Sequence, residues 1–245
     1  MPERSELLEA LSPEDRNVLI SRVTPIRLET GKVLYDAGGV VDHCYFPTGG
    51  AVASLQVLFS NGIAVEALMV GNEGALGGIV SNGSTPAYAR ASVLHGGQFL
   101  RISSADFEHA KEASSELRSF FARYADCLLA QVFQSVACNA IHTIEQRAAK
   151  WLVAATARIG RHEITITQEQ LASVLGVGRS YASRVVQRFK AEGIVRTRRG
   201  GIDVLNPALL EQSACTCEHL VKRHFDAVLP SVYPPLETAP ASRAM

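Results

Sequence analysis

The chain has 245 residues, 47% of them hydrophobic, and its 24 basic and 24 acidic side chains cancel. That length allows one to two domains with an ordinary folded composition, and the cancelled total, taken alone, argues against a nucleic-acid partner. No apolar run approaches the roughly 18 residues of a membrane span, and residues 1–10 are charged and lack a signal-peptide core, so a cytoplasmic location with no membrane partner is expected.

In chain order, the first element is a short helix over 12–23, opened by Ser12-Pro13. Seven β segments then follow at 24–28, 32–35, 43–46, 50–59, 64–70, 88–94 and 98–102. Glycine turns separate them at Gly31, Gly38-Gly39, Gly49-Gly50, Asn61-Gly62, Gly71, Gly77-Gly78 and Gly96-Gly97. Short strands so punctuated read as an antiparallel roll or barrel, which leaves room for an interior pocket.

From Ser103 the period turns helical. A helix over 105–113 leads through Ser114-Ser115 into a long one over 116–137. On it Leu117, Phe121, Tyr124, Leu128, Gln131 and Ser135 recur at steps of three and four, which predicts a seam against a second copy of the chain; a helix packed wholly within its own chain is the alternative. Phe120, Cys127 and Val132 widen the stripe toward the roll. Residues 138–140 are the expected hinge, before a helix over 143–159 that carries Ala148, Trp151, Leu152 and Ala155.

Residues 164–166 alternate as a short strand. Thr167 and Gln170 then form a capping box that starts a helix. Gly176 breaks it with the positive φ such a corner needs, and Gly178-Arg179-Ser180 opens a second helix. Ala182, Val185, Val186 and Phe189 make its apolar face, while Arg179, Ser180, Ser183, Arg184 and Arg188 fall largely on the other. Residues 194–198 and 202–205 read as a hairpin across Gly200-Gly201. Asn206-Pro207 starts another helix. The order is that of a winged helix–turn–helix. Arginine is the commonest reader of base edges, because its fork fits guanine O6 and N7 together. Arg179, Ser180, Tyr181, Ser183, Arg184 and Arg188 are therefore the candidate DNA contacts on the second helix. Thr167, Arg198 and Arg199 suit the phosphate contacts that position without reading sequence.

Charge placement agrees. Residues 138–205 hold 11 basic and 5 acidic side chains, against 10 and 15 in residues 1–137 and 3 and 4 in residues 206–245. A basic module beside an acidic one is the electrostatic footprint of a DNA binder with a separate second domain. The seven histidines are dispersed and no His-x-x-Glu-His or Gly-x-Ser-x-Gly element occurs, so an enzyme is not expected. Five scattered cysteines without a spaced framework read as reduced thiols. Cys215-Thr-Cys217 is the one close pair, and it reads as buried or incidental thiols, with no metal and no cofactor. The end of the chain carries a helical stretch over 217–228, then Pro230, Pro234, Pro235 and Pro240, which reads as disordered.

This order of elements resembles the Crp/Fnr family of bacterial transcription regulators over roughly residues 5–212. Residues 166–195 are similar to the family's DNA-reading signature almost position for position. Gly31-Lys-Val-Leu34 with Gly38, and Tyr45-Phe46-Pro-Thr-Gly49, are similar to its β-roll turns. The resemblance implies an α+β fold: an N-terminal antiparallel β-roll (a double-stranded, jelly-roll-like β-helix), a long dimerisation helix, and a C-terminal winged helix–turn–helix. The expected divisions are 1–113, 114–140 and 141–215, with 216–245 a helix and partly disordered tail. The implied partners are double-stranded DNA carrying a near-palindromic operator, a second copy of the chain, and RNA polymerase. Two departures matter. The family's cyclic-nucleotide sensors hold the ribose with a Gly-Glu pair and, ten residues on, the phosphate with an Arg-Ser pair. The matching register here reads Gly74-Ala75 and Thr85-Pro86, without a cation for a buried anion, while Glu73 and Arg90 stand nearby out of register. Val132 and Phe133 occupy the helix positions where those sensors present hydroxyls to adenine. Glu73, Ala75, Thr85, Arg90 and Val132 are thus the candidate lining of an effector pocket, for an unknown small molecule other than cyclic AMP. The alternative is a regulator that responds to a cyclic nucleotide, or to another small molecule, through the same pocket. An iron–sulfur oxygen sensor is disfavoured because the family's N-terminal cysteine cluster is absent. In the reading helix the family's Arg-Glu-Thr-x-x-Arg becomes Arg179-Ser180-Tyr181-Ala182-Ser183-Arg184, which keeps two guanine contacts and removes a carboxylate that would accept from cytosine.

Overall fold

A computed structural model describes residues 4–79 and 85–235. The chain begins with two short helices, α1 (Glu6–Glu9) and α2 (Pro13–Ile20), each capped by a serine, Ser5 and Ser12. The first of these is too short to leave a period in the sequence. Seven strands follow: β1 (Thr24–Leu28), β2 (Val33–Tyr35), β3 (His43–Pro47), β4 (Val52–Leu58), β5 (Ala64–Val70), β6 (Arg90–His95) and β7 (Gly97–Ser103). They form two antiparallel sheets, in the orders β1-β7-β3 and β2-β6-β4-β5. Phe99, Val93, Ala53 and Leu28 are buried together between them. The roll expected from the glycine spacing is present, with strand bounds moved by no more than two residues.

Helix α3 (Ser104–Ala113) leads into α4 (Ser115–Ile141), whose Ser114 cap accepts from the Leu117 amide. α5 (Ile144–Ile159) opens on a full capping box between Thr143 and Gln146 and closes on left-handed Gly160. The next elements are β8 (Glu163–Thr165), α6 (Gln168–Leu175), α7 (Arg179–Ala191), β9 (Val195–Arg198), β10 (Gly201–Val204), α8 (Pro207–Ser213) and α9 (Cys217–Val228). Among the described residues no helix is long and apolar enough to cross a membrane.

Three expectations need correction. α4 runs unbroken through residues 138–140, and the chain turns at His142, whose backbone is extended. The break between the helices therefore lies two residues beyond the expected hinge. The segment after α9 is packed rather than loose as far as it is described. Phe225, Leu229, Val232 and Tyr233 join the core made by α1, α2, α3 and α4; residues 236–245, with Pro240, lie outside the described residues. The third correction concerns the seam. Leu117, Phe121, Tyr124, Leu128 and Gln131 are all buried inside the protomer. The first four pack in the core with Phe46, Phe107 and Ile102, and the Tyr124 hydroxyl is held by the Ala75 backbone. Gln131 and Ser135 line a polar crevice of about 400 Å³ between β5, α4 and α5. An apolar stripe shows that a helix face is covered, not by what. Here the β-roll and α9 cover it.

The winged module is not a separate ball on a string. Its core, with Trp151, Leu171, Val185, Phe189 and Ile202, is continuous with Val52, Met69 and Leu94 of the roll. Gly50 lies at a point of closest approach: a Cβ there would sit 2.5 Å from the Ile159 carbonyl oxygen, and its φ is +91°. Any side chain would push the roll and α5 apart.

Candidate nucleic-acid interface

The reading unit is built as the local signals dictate. The Thr167 hydroxyl accepts from the Gln170 amide at 3.1 Å, and the Gln170 side chain accepts from the Thr167 amide at 2.8 Å. Gly176 ends α6 at φ +64°, where its amide bonds back to Ser173. A non-glycine residue at that φ would be strained, so the corner that sets α7 against α6 depends on it.

On α7 the inner face of Ala182, Val185, Val186 and Phe189 is fully packed. Arg179, Ser180, Tyr181, Arg184 and Arg188 are exposed on the outer face, and Ser183 is half-buried. The Arg184 guanidinium stacks 4.9 Å from the centre of the Tyr181 ring, a contact that pre-orients a planar fork. Arg188 pairs with Glu192 at 2.9 Å, one turn on, so its charge is partly engaged on the helix itself. β8, β10 and β9 pair in that order, and the Gly200 turn (φ +72°) closes the wing. At the wing, Asp203 accepts from Arg196 and Arg198, each at 2.9 Å. Those hydrogen bonds hold its carboxyl below the usual carboxylate range. Arg198 is therefore a braced side chain, and Arg199 and Thr167 are exposed beside it. Of the nine predicted DNA contacts, Thr167, Arg179 and Arg198 line one cleft between α6, α7 and the wing.

The predicted effector residues are not brought together. Ala75 and Val132 line an apolar cavity of about 370 Å³ in the roll, with Tyr35, Leu55, Leu76 and Leu128. Glu73 points away and is bound to Arg158. Arg90 is exposed and forms a two-pronged pair with Asp36, at 3.0 and 2.8 Å. Thr85 is exposed and does not line the cavity.

Sequence reasoning missed a buried ionic knot. The Arg158 guanidinium donates to Glu73 at 2.7 Å, to Glu218 at 2.9 Å and to the Tyr233 hydroxyl at 2.6 Å. It joins α5 of the reading module to the roll and to the C-terminal segment. Burial works against the Glu218 carboxylate, but the Arg158 charge and the Tyr233 hydroxyl outweigh it and hold its pKa below the ordinary value. The only sequence signal is an arginine on the apolar side of the 143–159 helix, and that does not name its partners.

A second polar contact crosses the same boundary. Trp151 Nε1 donates to Glu66 at 2.6 Å, and the other Glu66 oxygen is buried without a partner among the described residues. Burial pushes the Glu66 pKa up to about 7, against the pull of the Trp151 hydrogen bond. A carboxyl with a raised folded-state pKa holds a proton that the unfolded chain has released, so folding stability falls as pH rises from about 4.5 through about 7 and then levels off. Glu66→Gln is expected to stabilise the protein by on the order of 1–3 kcal/mol at pH 8 and by little at pH 5. Thermal melts of both proteins across that range check this; equal gains at both pH values would refute it.

A family profile for the Crp-like helix-turn-helix domain matches residues 146–213. No curated protein sequence matches the chain. Solved structures share its fold. One is a putative Crp/Fnr-family transcriptional regulator from Eubacterium rectale, at 16% identity and a TM-score of 0.66, with 84% of this chain and 96% of that one covered. FixK2 from Bradyrhizobium japonicum matches at 14% identity and 0.66, covering 79% and 98%. The c-di-GMP-responsive global regulator CLP from Xanthomonas campestris matches at 12% identity and 0.64, covering 80% and 100%. Residues 146–213 are thus a Crp-like helix-turn-helix domain, and the chain as a whole has the fold of the Crp/Fnr family of transcription regulators.

Proposed function

We propose that this protein is a homodimeric, sequence-specific transcription regulator that reads a near-palindromic operator with α7 and contacts RNA polymerase at the promoter. One observation carries the reading: Arg179, Tyr181 and Arg184 stand exposed on the first two turns of a helix whose other face is fully packed, beside a wing bearing Arg198 and Arg199. That is the geometry by which a recognition helix offers its N-terminal side chains to the major groove. Selection of binding sites from random duplex DNA by the purified protein tests it. Enrichment of an inverted repeat with half-sites one helical turn apart (about 34 Å) supports the reading, and no enrichment refutes it.

The dimer is assigned to the other side of α4 from the expected seam. With its inner face occupied, α4 still exposes Leu129, Phe133 and Val136, the last two at 64% and 65%. Ala122, Ala125, Leu129, Val136 and Ala140 follow one another along that flank at helical spacing, beside Phe133. Phe133→Glu is expected to convert a dimer into a monomer in sedimentation experiments at micromolar concentration. Because Phe133 touches little within the protomer, the fold measured by circular dichroism should be unchanged. A dimer that persists would place the interface elsewhere.

The roll cavity supports an uncharged, largely apolar effector. Among the described residues its lining offers no cation for a phosphate: the Arg90 charge is spent on Asp36 at the surface. The cyclic-nucleotide alternative lacks support from these residues.

A further inference from the structure

Three cysteines and a histidine converge where α4 ends. Cys138 lies on the last turns of α4, His142 caps it, and Cys215 and Cys217 flank Thr216 between α8 and α9. Their ligand atoms all lie within 4.8 Å of one another. Cys138 Sγ is 3.6 Å from Cys215 Sγ, and Cys217 Sγ is 3.5 Å from His142 Nδ1. All three cysteines are buried, forming a cluster of their own. We propose that Cys138, His142, Cys215 and Cys217 form a structural zinc site that clasps the DNA-reading module to the end of α4.

The Cys138–Cys215 and Cys217–His142 separations match edges of a tetrahedron around one ion. With Zn–S near 2.3 Å and Zn–N near 2.0–2.1 Å, tetrahedral angles give an S···S edge of about 3.8 Å and an S···N edge of about 3.5–3.6 Å. Three thiolates and an imidazole are a zinc-type donor set, and four protein ligands leave no open position for substrate. A multi-iron cluster would hold its ligands farther apart than one ion does. A disulfide between Cys138 and Cys215 would need the sulfurs to close to about 2.05 Å. Binding displaces the thiol protons to solvent and changes no oxidation state. Gln134 Nε2, one turn before Cys138, lies 3.1 Å from Cys217 Sγ and donates to it, the kind of outer contact that fixes a ligating thiolate.

The placement gives the site a role. Its two halves bracket the winged module, since His142 precedes α5 and Cys215 follows α8. A bound ion therefore closes the module's base into a ring and restrains its swing about the α4–α5 junction, and with it the spacing of two recognition helices in a dimer. That consequence rests on the DNA-reading proposal. The metal site does not.

Full-length protein carrying no histidine tag, purified under reducing conditions, is expected to hold about one zinc per chain by elemental analysis. Cys215→Ser and Cys217→Ser should lower retained zinc at least ~10-fold, while Cys44→Ser and Cys127→Ser, buried elsewhere in the protomer, retain it. Should the site variants fail to fold, the wild-type protein decides: stripped of zinc and titrated with Co²⁺, it should show the thiolate-to-cobalt and d–d bands of a tetrahedral thiolate site. Zinc below ~0.1 per chain after reconstitution, or octahedral cobalt spectra, overturns the proposal. So does a stable Cys138–Cys215 disulfide in protein alkylated directly from cells. Zinc retention together with a failure to select any DNA site would keep the clasp and refute the DNA reading instead.

Discussion

Replacing Arg158 with leucine is expected to lower the melting temperature by roughly 6–20 °C. The guanidinium is buried among Glu73, Glu218 and Tyr233, and removing one partner of a buried ionic group leaves uncompensated charge that typically costs about 3–5 kcal/mol. In a chain of this size each kcal/mol moves the midpoint by about 2–4 °C. The effect should depend on pH in a definite sense. Glu218 has its pKa held down in the folded protein, so its contribution is present above the ordinary carboxylate pKa and lost as pH falls through the lowered value. The gap between wild type and Arg158→Leu should therefore narrow in acid. Calorimetric melts of both proteins between pH 2.5 and 8 measure it. A gap below about 1 kcal/mol at pH 7 would show that the knot contributes little beyond what its desolvation costs. Arg158→Leu combined with Glu73→Leu should recover part of the loss, because it removes a stranded carboxylate together with the cation.

Changing Arg179 and Arg184 together to alanine is expected to abolish selection of the operator while leaving the fold intact. Each bidentate arginine–guanine contact is worth about 1–3 kcal/mol. Two in each half-site of a dimer amount to a loss of at least about three decades in operator affinity. Both side chains are exposed, so the melting temperature should not move. Arg199→Ala supplies the contrast. Taking one phosphate-binding cation off each wing of the dimer should weaken all sequences about equally and reduce the salt slope by about two, without altering which sequence is preferred. Fluorescence anisotropy on the selected site and on scrambled DNA separates the two behaviours. Undiminished operator affinity in the double variant would remove α7 from the recognition role.

How much was legible in advance differs from element to element. The β-roll followed from strand-length apolar segments and the glycines between them. α9 was bounded to the residue, as were β1 and β5. The Thr167–Gln170 box, the Gly176 corner and the Gly200-Gly201 turn are local chemistry, in which residues three or four apart settle their own hydrogen bonds. Those signals also sufficed to put Arg179 and Arg184 at the start of a helix with its apolar side turned inward. The α4 seam failed for a reason in the same physics. A repeat of three and four records that a face is covered, and Leu117, Phe121 and Leu128 are covered by the roll and neighbouring helices of their own chain. The effector set failed because adjacency in sequence is not adjacency in a roll. Glu73 and Ala75 are two residues apart, yet one binds Arg158 and the other lines the apolar cavity.

The sequence by itself thus determined the order of elements, their caps and turns, and the outward arginines of the reading helix, because each depends on contacts within a few residues. Only the tertiary structure decided which side of α4 stays free and which acids meet Arg158. It also brought Cys138 and His142 to Cys215 and Cys217. These are pairings across tens of residues of chain, and no local period encodes them. They exist only once the last helix has folded back along α4 and the winged module has docked on the roll.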